Sequence, residues 1–190
     1  MKVINTPGKY DGSQITPGWA AAEFRLNEDE DSIVVMRGPM DVKCEEMVDL
    51  EDLRNGEEIK GDDLVHFIVE HHDSNNVEIA YLRQRLFTCI VYEVLSEHEI
   101  KIKIKRRGDD LFFCNKKLSV SVATSGENSI KFHFGINVTS KGTPDYLETA
   151  GLSELGFGED EIKKLSGEVC EKYAHEIKKI KSDIKKTKLF

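Results

Sequence analysis

The chain predicts one α+β domain, a mixed and largely antiparallel sheet with packed helices, and three observations carry that reading. Leu118, Val120 and Val122 alternate with Ser119, Ser121 and Ala123, and Ile130, Phe132 and Phe134 alternate with Lys131, His133 and Gly135, the period-two pattern of strands. Ile79, Leu82, Leu86, Phe87, Ile90, Val91, Val94 and Leu95 recur at helical spacing, as do Ile162, Leu165, Val169, Tyr173, Ile177, Ile180 and Ile184. The 190 residues hold no internal repeat and no linker, and that length suits one domain with a substantial core.

In order, the chain opens with a short strand at Lys2 to Asn5 and a loop at Pro7-Gly8. Asp11-Gly12-Ser13-Gln14 reads as a turn entering a helix or as a ligand-contacting loop, and Pro17 stands near the start of a helix reaching about Phe24. Glu28 to Asp31 is a charge run of the kind found in solvated turns. Ser32 to Met36 has an Ile-Val-Val core suited to a strand buried on both faces, which Arg37-Gly38-Pro39-Met40 is expected to end. Arg37 beside Gly38 fits either an anion contact, with fork-like donors and close backbone approach, or a structural salt bridge. Glu45 to Arg54 reads as a short acidic helix or turn, and Leu64 to Glu70 as a strand. Its exit, Glu70-His71-His72-Asp73, offers four ligand-type side chains, but strand neighbours point to opposite faces and cannot converge on one ion without a sharp bend.

Asn75 or Asn76 caps a helix running to about Glu97. Ile100 to Lys105 alternates isoleucine with lysine, a strand whose lysine face guards a solvated edge or attracts phosphate. Leu111 to Cys114 forms a hairpin with the strand from Leu118, turning at Asn115-Lys116, and the strand from Ile130 ends in Gly135-Ile136-Asn137. Arg106, Arg107, Asp109, Asp110, Lys117 and Asn137 are thereby expected at one end of the sheet, where scaffolds present binding chemistry. The loop from Thr139 to Leu152 is long enough to act as a lid. A helix from Glu159 to about Lys186 spans roughly 40 Å at 1.5 Å per residue, longer than a small domain needs, so its end or the Lys101 strand is expected at a homodimer interface.

A net charge of −8 disfavours sequence-independent binding to nucleic acid, which needs a basic face. No apolar run approaches a membrane span and the first residues lack a signal-peptide core, so a cytoplasmic protein is expected. Cys44, Cys89, Cys114 and Cys170 are dispersed, which predicts reduced thiols, with Cys89 in an apolar helix and Cys114 in an apolar strand.

Arg106-Arg107-Gly108-Asp109-Asp110, then Leu-Phe-Phe-Cys-Asn-Lys, then Lys117-Leu118-Ser119-Val120, and finally Gly135-Ile136-Asn137, resemble the catalytic domain of biotin protein ligases and lipoate ligases. There the order is Lys-Trp-Pro-Asn-Asp, strand, turn, Lys-Leu-Ala-Gly, strand, and a strand ending in Gly-Ile-Asn. The resemblance implies the class II synthetase-like fold and places Lys117 on the lysine that holds the acyl adenylate. It further implies ATP with Mg²⁺ at Asp109 or Asp110, a small carboxylic acid as substrate, and phosphate or carboxylate contacts from Arg106 or Arg107. Asp11, Gln14, Arg37, Gly38, Gly135 and Asn137 complete the ligand-binding candidates. Three features depart from that pattern. The chain has no Gly-Arg-Gly-Arg-Arg-Gly loop, although Arg37-Gly38 stands at roughly its place. Val120 replaces the glycine that admits the acid, and Thr149-Ala150-Gly151 stands where octanoyl transferases carry their cysteine.

Over nearly the whole chain, segments such as Tyr10-Asp11-Gly12-Ser13-Gln14, Arg37-Gly38-Pro39-Met40-Asp41-Val42, Leu82-Arg83-Gln84-Arg85-Leu86 and Thr149-Ala150-Gly151-Leu152 resemble an archaeal family, domain of unknown function 366. That resemblance names no activity. Two readings compete with the ligase: a non-catalytic domain binding a small anionic ligand, and an RNA-processing accessory domain using the row from Lys101 to Arg107.

Overall fold

The computed structural model describes residues 1–98 and 104–188. Five strands form the main sheet: β1 (Lys2–Pro7), β2 (Ser32–Val42), β3 (Ile59–His71), β7 (Ser119–Ser125) and β8 (Ile130–Asn137), in the order β1-β2-β3-β8-β7. Among the described residues, β1–β2 is the one parallel pair of strands in this sheet. A second, three-stranded antiparallel sheet contains β4 (Ile104–Arg107), β5 (Asp110–Phe113) and β6 (Lys116–Lys117). Four α-helices complete the described residues: α1 (Trp19–Phe24), α2 (Leu50–Asn55), α3 (Val77–Glu97) and α4 (Glu159–Ile184).

The two long helices cover one face of the sheet. Phe67, Phe132 and Phe134 project from β3 and β8 against Phe87 of α3, and Tyr173 of α4 stacks edge-on to Phe87 and Phe132. The opposite face is buried too. Val34, Met36, Leu64 and Ile68 pack with Tyr10, Ala20 and Trp19, so helices lie on both sides of the sheet. This second cover explains the buried charges in the polar rows of the central strands. Glu70 and Lys131 are partners in the β3–β8 register, both essentially without solvent exposure, with Lys131 Nζ 3.2 Å from Glu70 Oε2. The remaining Glu70 capacity is used by the Gly18 amide and the Ser129 hydroxyl, as a buried charge requires.

Several expected boundaries move. Strand β2 does not end at Met36 but continues to Val42 through a register shift between Gly38 and Met40. Pro39 cannot donate to a ladder, which makes it a bulge residue. Gly38 lacks the Cβ that would strike the Gly8 carbonyl. Strand β3 starts five residues before Leu64. The hairpin turn falls at Cys114-Asn115, both at positive φ (48° and 68°), which removes Cys114 from the apolar strand and exposes it. The return strand is only Lys116–Lys117; from Ser119 the chain leaves β5 and pairs with β8. Asp31 is no part of a solvated run, for it accepts from the His72 amide and meets His71 and Lys181. On α3, Leu82 is exposed, whereas Gln84 and Thr88 face inward. The alternating stretch contributes Ile104 and Lys105 to β4, and its part from Ile100 to Lys103 lies outside the described residues.

Candidate functional site

The edge strand β7 and the β5–β6 hairpin bring the polar candidates together. Lys117 is the best-anchored of them. Its amide donates to Glu148 O (2.8 Å), and its carbonyl accepts from the Ala150 amide (3.0 Å) and from Asn137 Nδ2 (3.4 Å). Asn137 Nδ2 also reaches Ala150 O at 3.2 Å, so this side chain clasps β8, the hairpin and the following loop. With its main chain fixed, Lys117 places Nζ 2.9 Å from Asp110 Oδ2, both side chains about one-quarter exposed (26% and 24%). Burial raises the Asp110 pKa, and Lys117 only partly offsets it. Burial and the neighbouring Asp49 raise Asp52 likewise, again with Lys117 opposing. One ammonium thus serves two carboxyl groups.

Behind β7 lies a polar seam that no periodicity predicted. Asp109 meets Arg85 Nη1 at 2.8 Å and accepts from Gln84 Nε2 (3.1 Å) and Ser121 Oγ (2.9 Å). The serines of β7 therefore face α3, and Ser119 Oγ accepts from the Leu111 amide. The guanidinium of Arg85 packs on Gly108, whose φ of +65° and missing side chain make the space.

The remaining candidates are distributed elsewhere. Arg106 donates to Gly108 O, and Arg107 donates to Asn115 Oδ1 and lies 4.9 Å over the Phe112 ring, both exposed on the hairpin. Arg37 forms a two-pronged pair with Asp63 (2.7 and 2.8 Å) and two further bonds to Glu159 (3.1 Å each), the arrangement of a structural tie. Asp63 holds its pKa high. Asp11 accepts from the Ser13 amide and hydroxyl, and Gln14 is held by the Lys9 carbonyl and the Asp11 amide. Gly135 lies in β8 with His133 and Val120 packed over it.

Next to this cluster, on the face away from α3, is a cavity of about 50 Å³. Tyr10, Val120, Val122 and His133 line its inner wall, and Glu46, Asp49 and Asp52 belong to the cover supplied by residues 44–55. Asp49 caps α2 by accepting from the amides of Glu51 and Asp52. Sequence reasoning missed the inner wall. Tyr10 stacks on His133 at 3.7 Å between centroids, and His133 Nε2 lies 3.1 Å from His66 Nδ1. Burial lowers the pKa of His66 to about 4 and pushes that of His133 well below its ordinary value. A single histidine in the middle of each of two largely apolar strands, His66 in Leu64 to Glu70 and His133 in Ile130 to Asn137, was the available signal. Among the described residues no three His, Cys, Asp or Glu side chains are grouped to hold a metal ion, and no helix is long and apolar enough to cross a membrane. Asp109, held by Arg85, Gln84 and Ser121 behind β7, and Asp110, paired with Lys117, are engaged separately, so only Asp110 stands where an ion carried in by a triphosphate would meet it.

A family model described as Domain of unknown function (DUF366) matches residues 1–188. An uncharacterized protein of Methanocaldococcus jannaschii is 44% identical over 182 residues, covering 94% of this chain and 79% of that protein. Among solved structures, a protein of unknown function from Pyrococcus horikoshi superposes with a TM-score of 0.92 at 37% identity, over 100% of this chain and 99% of that one. Biotin protein ligase from Aquifex aeolicus in complex with biotin and ATP gives a TM-score of 0.62 at 18% identity, with 95% and 72% covered. A putative lipoate protein ligase from T. acidophilum with bound lipoic acid gives 0.55 at 12% identity, with 92% and 86% covered. At such identities the likeness is one of fold, and the fold is that of the biotin and lipoate ligase domain.

Proposed function

The chain belongs to the DUF366 family, and from that premise we propose that it binds a small carboxylic acid beside Lys117 and activates it as an adenylate. The observation that carries this is the Lys117–Asp110 pair, a half-buried ammonium on a clasped main chain beside a cavity. An incoming carboxylate or phosphate replaces Asp110 as the partner of Nζ, a charge-assisted bond that needs no rebuilding of the backbone. In the reaction the carboxylate oxygen attacks the α-phosphorus of ATP, the bond to the β-phosphate oxygen breaks, and pyrophosphate leaves. Lys117 then stabilises charge on the acyl adenylate until an acceptor displaces AMP. Arg106 and Arg107 meet the triphosphate from the hairpin. Of Asp109 and Asp110, the latter would hold, together with the triphosphate, Mg²⁺, whose chemistry is to neutralise phosphate charge, since Asp109 is already held by Arg85, Gln84 and Ser121. Gly135 and Asn137 act as supports of the ligand site, whereas Arg37, tied to Asp63 and Glu159, and Asp11 and Gln14, bonded to each other, Ser13 and Lys9, lie outside it. We place this activity in a cytoplasmic homodimer.

A second reading, a non-catalytic binder of a small anion, is favoured by the number of cations already paired: Arg37 with Asp63 and Glu159, Arg85 with Asp109. Magnesium-dependent pyrophosphate exchange separates the two. A thermal-shift screen with nucleotides and carboxylic acids selects the acid, since a ligand of the folded state raises the melting temperature by mass action. Label exchange between pyrophosphate and ATP that requires the selected acid supports adenylation. Binding without exchange leaves the second reading, and a screen in which neither nucleotides nor acids bind removes both.

A further inference from the structure

The cavity beside Lys117 ends on an acceptor whose proton state the surrounding bonds dictate. His66 Nε2 lies 3.1 Å from the Gly38 carbonyl, which can only accept, so this nitrogen carries the proton. In a neutral ring Nδ1 is then bare and accepts from His133 Nε2, 3.1 Å away. His133 is neutral as well, being 2% exposed and in line with a second buried imidazole. Its proton is therefore on Nε2 and its Nδ1 presents a lone pair. That atom has no partner among the described residues, although His133 lines the cavity. An unpartnered acceptor on a side chain that is almost wholly buried and lines a cavity is open to a donor that enters there. The cover of the same cavity is acidic, with Glu46, Asp49 and Asp52, and this favours a positive charge on that donor. At about 50 Å³ the space accommodates the volume of a few waters, enough for a short unbranched chain and too little for a fused bicyclic ring.

We infer that the cavity selects a short unbranched acid whose far end carries an ammonium, an ω-amino acid, with the nitrogen on His133 and the carboxylate toward Lys117. The carboxylate end rests on the function proposed above; the nitrogen end does not. An α-amino acid does not satisfy both ends, because His133 lines the inner wall of the cavity while Lys117 lies outside that lining, next to Asp52 of the cover.

Calorimetry on the full chain with 4-aminobutanoate, 5-aminopentanoate and 6-aminohexanoate, each beside its unsubstituted acid and its alkylamine, tests this. The expected result is an amino acid that binds roughly tenfold or more tighter than its acid, the scale of one hydrogen bond to a charged group. Asp52→Asn at the half-buried rim should reduce that preference, and His133→Phe, which keeps the stack on Tyr10, should abolish it. Should His133→Phe fail to fold, the ¹⁵N resonance of His133 Nδ1 in the wild type replaces it, because donation to this nitrogen shifts it on titration. Amine and amino acid binding equally, both above the acid, keeps the nitrogen site and refutes the carboxylate site at Lys117. Acid and amino acid binding equally, or none of the probes binding, overturns the inference.

Discussion

At the scale of the residue, Lys117 separates a site from a hairpin. Its ammonium has two carboxyl neighbours, of which only Asp110 is in contact, and both side chains keep about a quarter of their exposure. Lys117→Met retains the stem and removes the charge. The fold should lose about 1 kcal/mol or less, the scale of a partly screened pair. The affinity for ATP or for the best acid should fall by about 1.5 to 3 kcal/mol. Thermal melts and calorimetry on the same two proteins give both numbers, and equal affinities would return Lys117 to a purely structural role. The histidines make a separate prediction about acid. His66 has a folded pKa of about 4 against an ordinary 6.5, so the unfolded chain binds the proton more readily. Its contribution is complete above pH 6.5 and is lost as pH falls toward 4, by about 3 kcal/mol at most. His133 and His71 shift in the same direction, so denaturant titrations at pH 7.5 and 5.0 should show a clear loss of stability, and an unchanged midpoint would mean the pair is not buried neutral. Asp73, held at about 2 by Arg83 and Lys181 against its burial, acts in a lower window, losing its contribution as pH falls from about 4 to about 2.

At the scale of the element, the bulge of β2 is where a sequence signal was read correctly in type and wrongly in consequence. Gly38-Pro39 does interrupt the ladder, yet β2 resumes because Tyr10 and Met40 bridge, and the amides of Gly8 and Tyr10 donate to Arg37 O and Pro39 O. Gly38→Ala places a methyl group against the Gly8 carbonyl and should cost about 1 to 3 kcal/mol through separation of β1 from β2. Hydrogen exchange should locate the loss in β1 and at Tyr10. A Gly38→Ala protein with wild-type melting and weakened ligand binding would instead make Gly38 a ligand contact. The strands β7 and β8 and the helices α3 and α4 were legible because each presents a regular apolar row to one partner. The hairpin was legible only as a turn. Which strand β7 pairs with is a matter of tertiary pairing, and the serines that fit a solvated face are engaged inward, Ser121 with Gln84 and Asp109 and the buried Ser119 with the Leu111 amide.

For the molecule as a whole, the same limit decides what could be read of the site. Lys117, Asp110 and Asn137 were within reach of a motif of about thirty residues and do come together. His133, His66 and Tyr10 were not, since a period-two row of polar residues does not reveal whether water or a second layer lies over it, and here α1 and residues 8–15 cover it. The long helix α4 poses the converse problem, an apolar row that runs past the core. Ile177 is its last buried residue, while Ile180 and Ile184 are 38% and 64% exposed on a helix that Lys181 still ties to Asp31 and Asp73. Its final turns are consequently rigid enough to offer these two isoleucines to a second copy, among lysines that an acidic partner chain of net charge −8 balances. Light scattering of the full chain at micromolar concentration should give twice 21.6 kDa. Ile180→Glu together with Ile184→Glu should halve that mass without changing secondary structure, since neither side chain belongs to the core. A full-length protein at 21.6 kDa would place these turns in solvent and remove the dimer from the proposal. A dimer indifferent to both substitutions would move its interface to another surface.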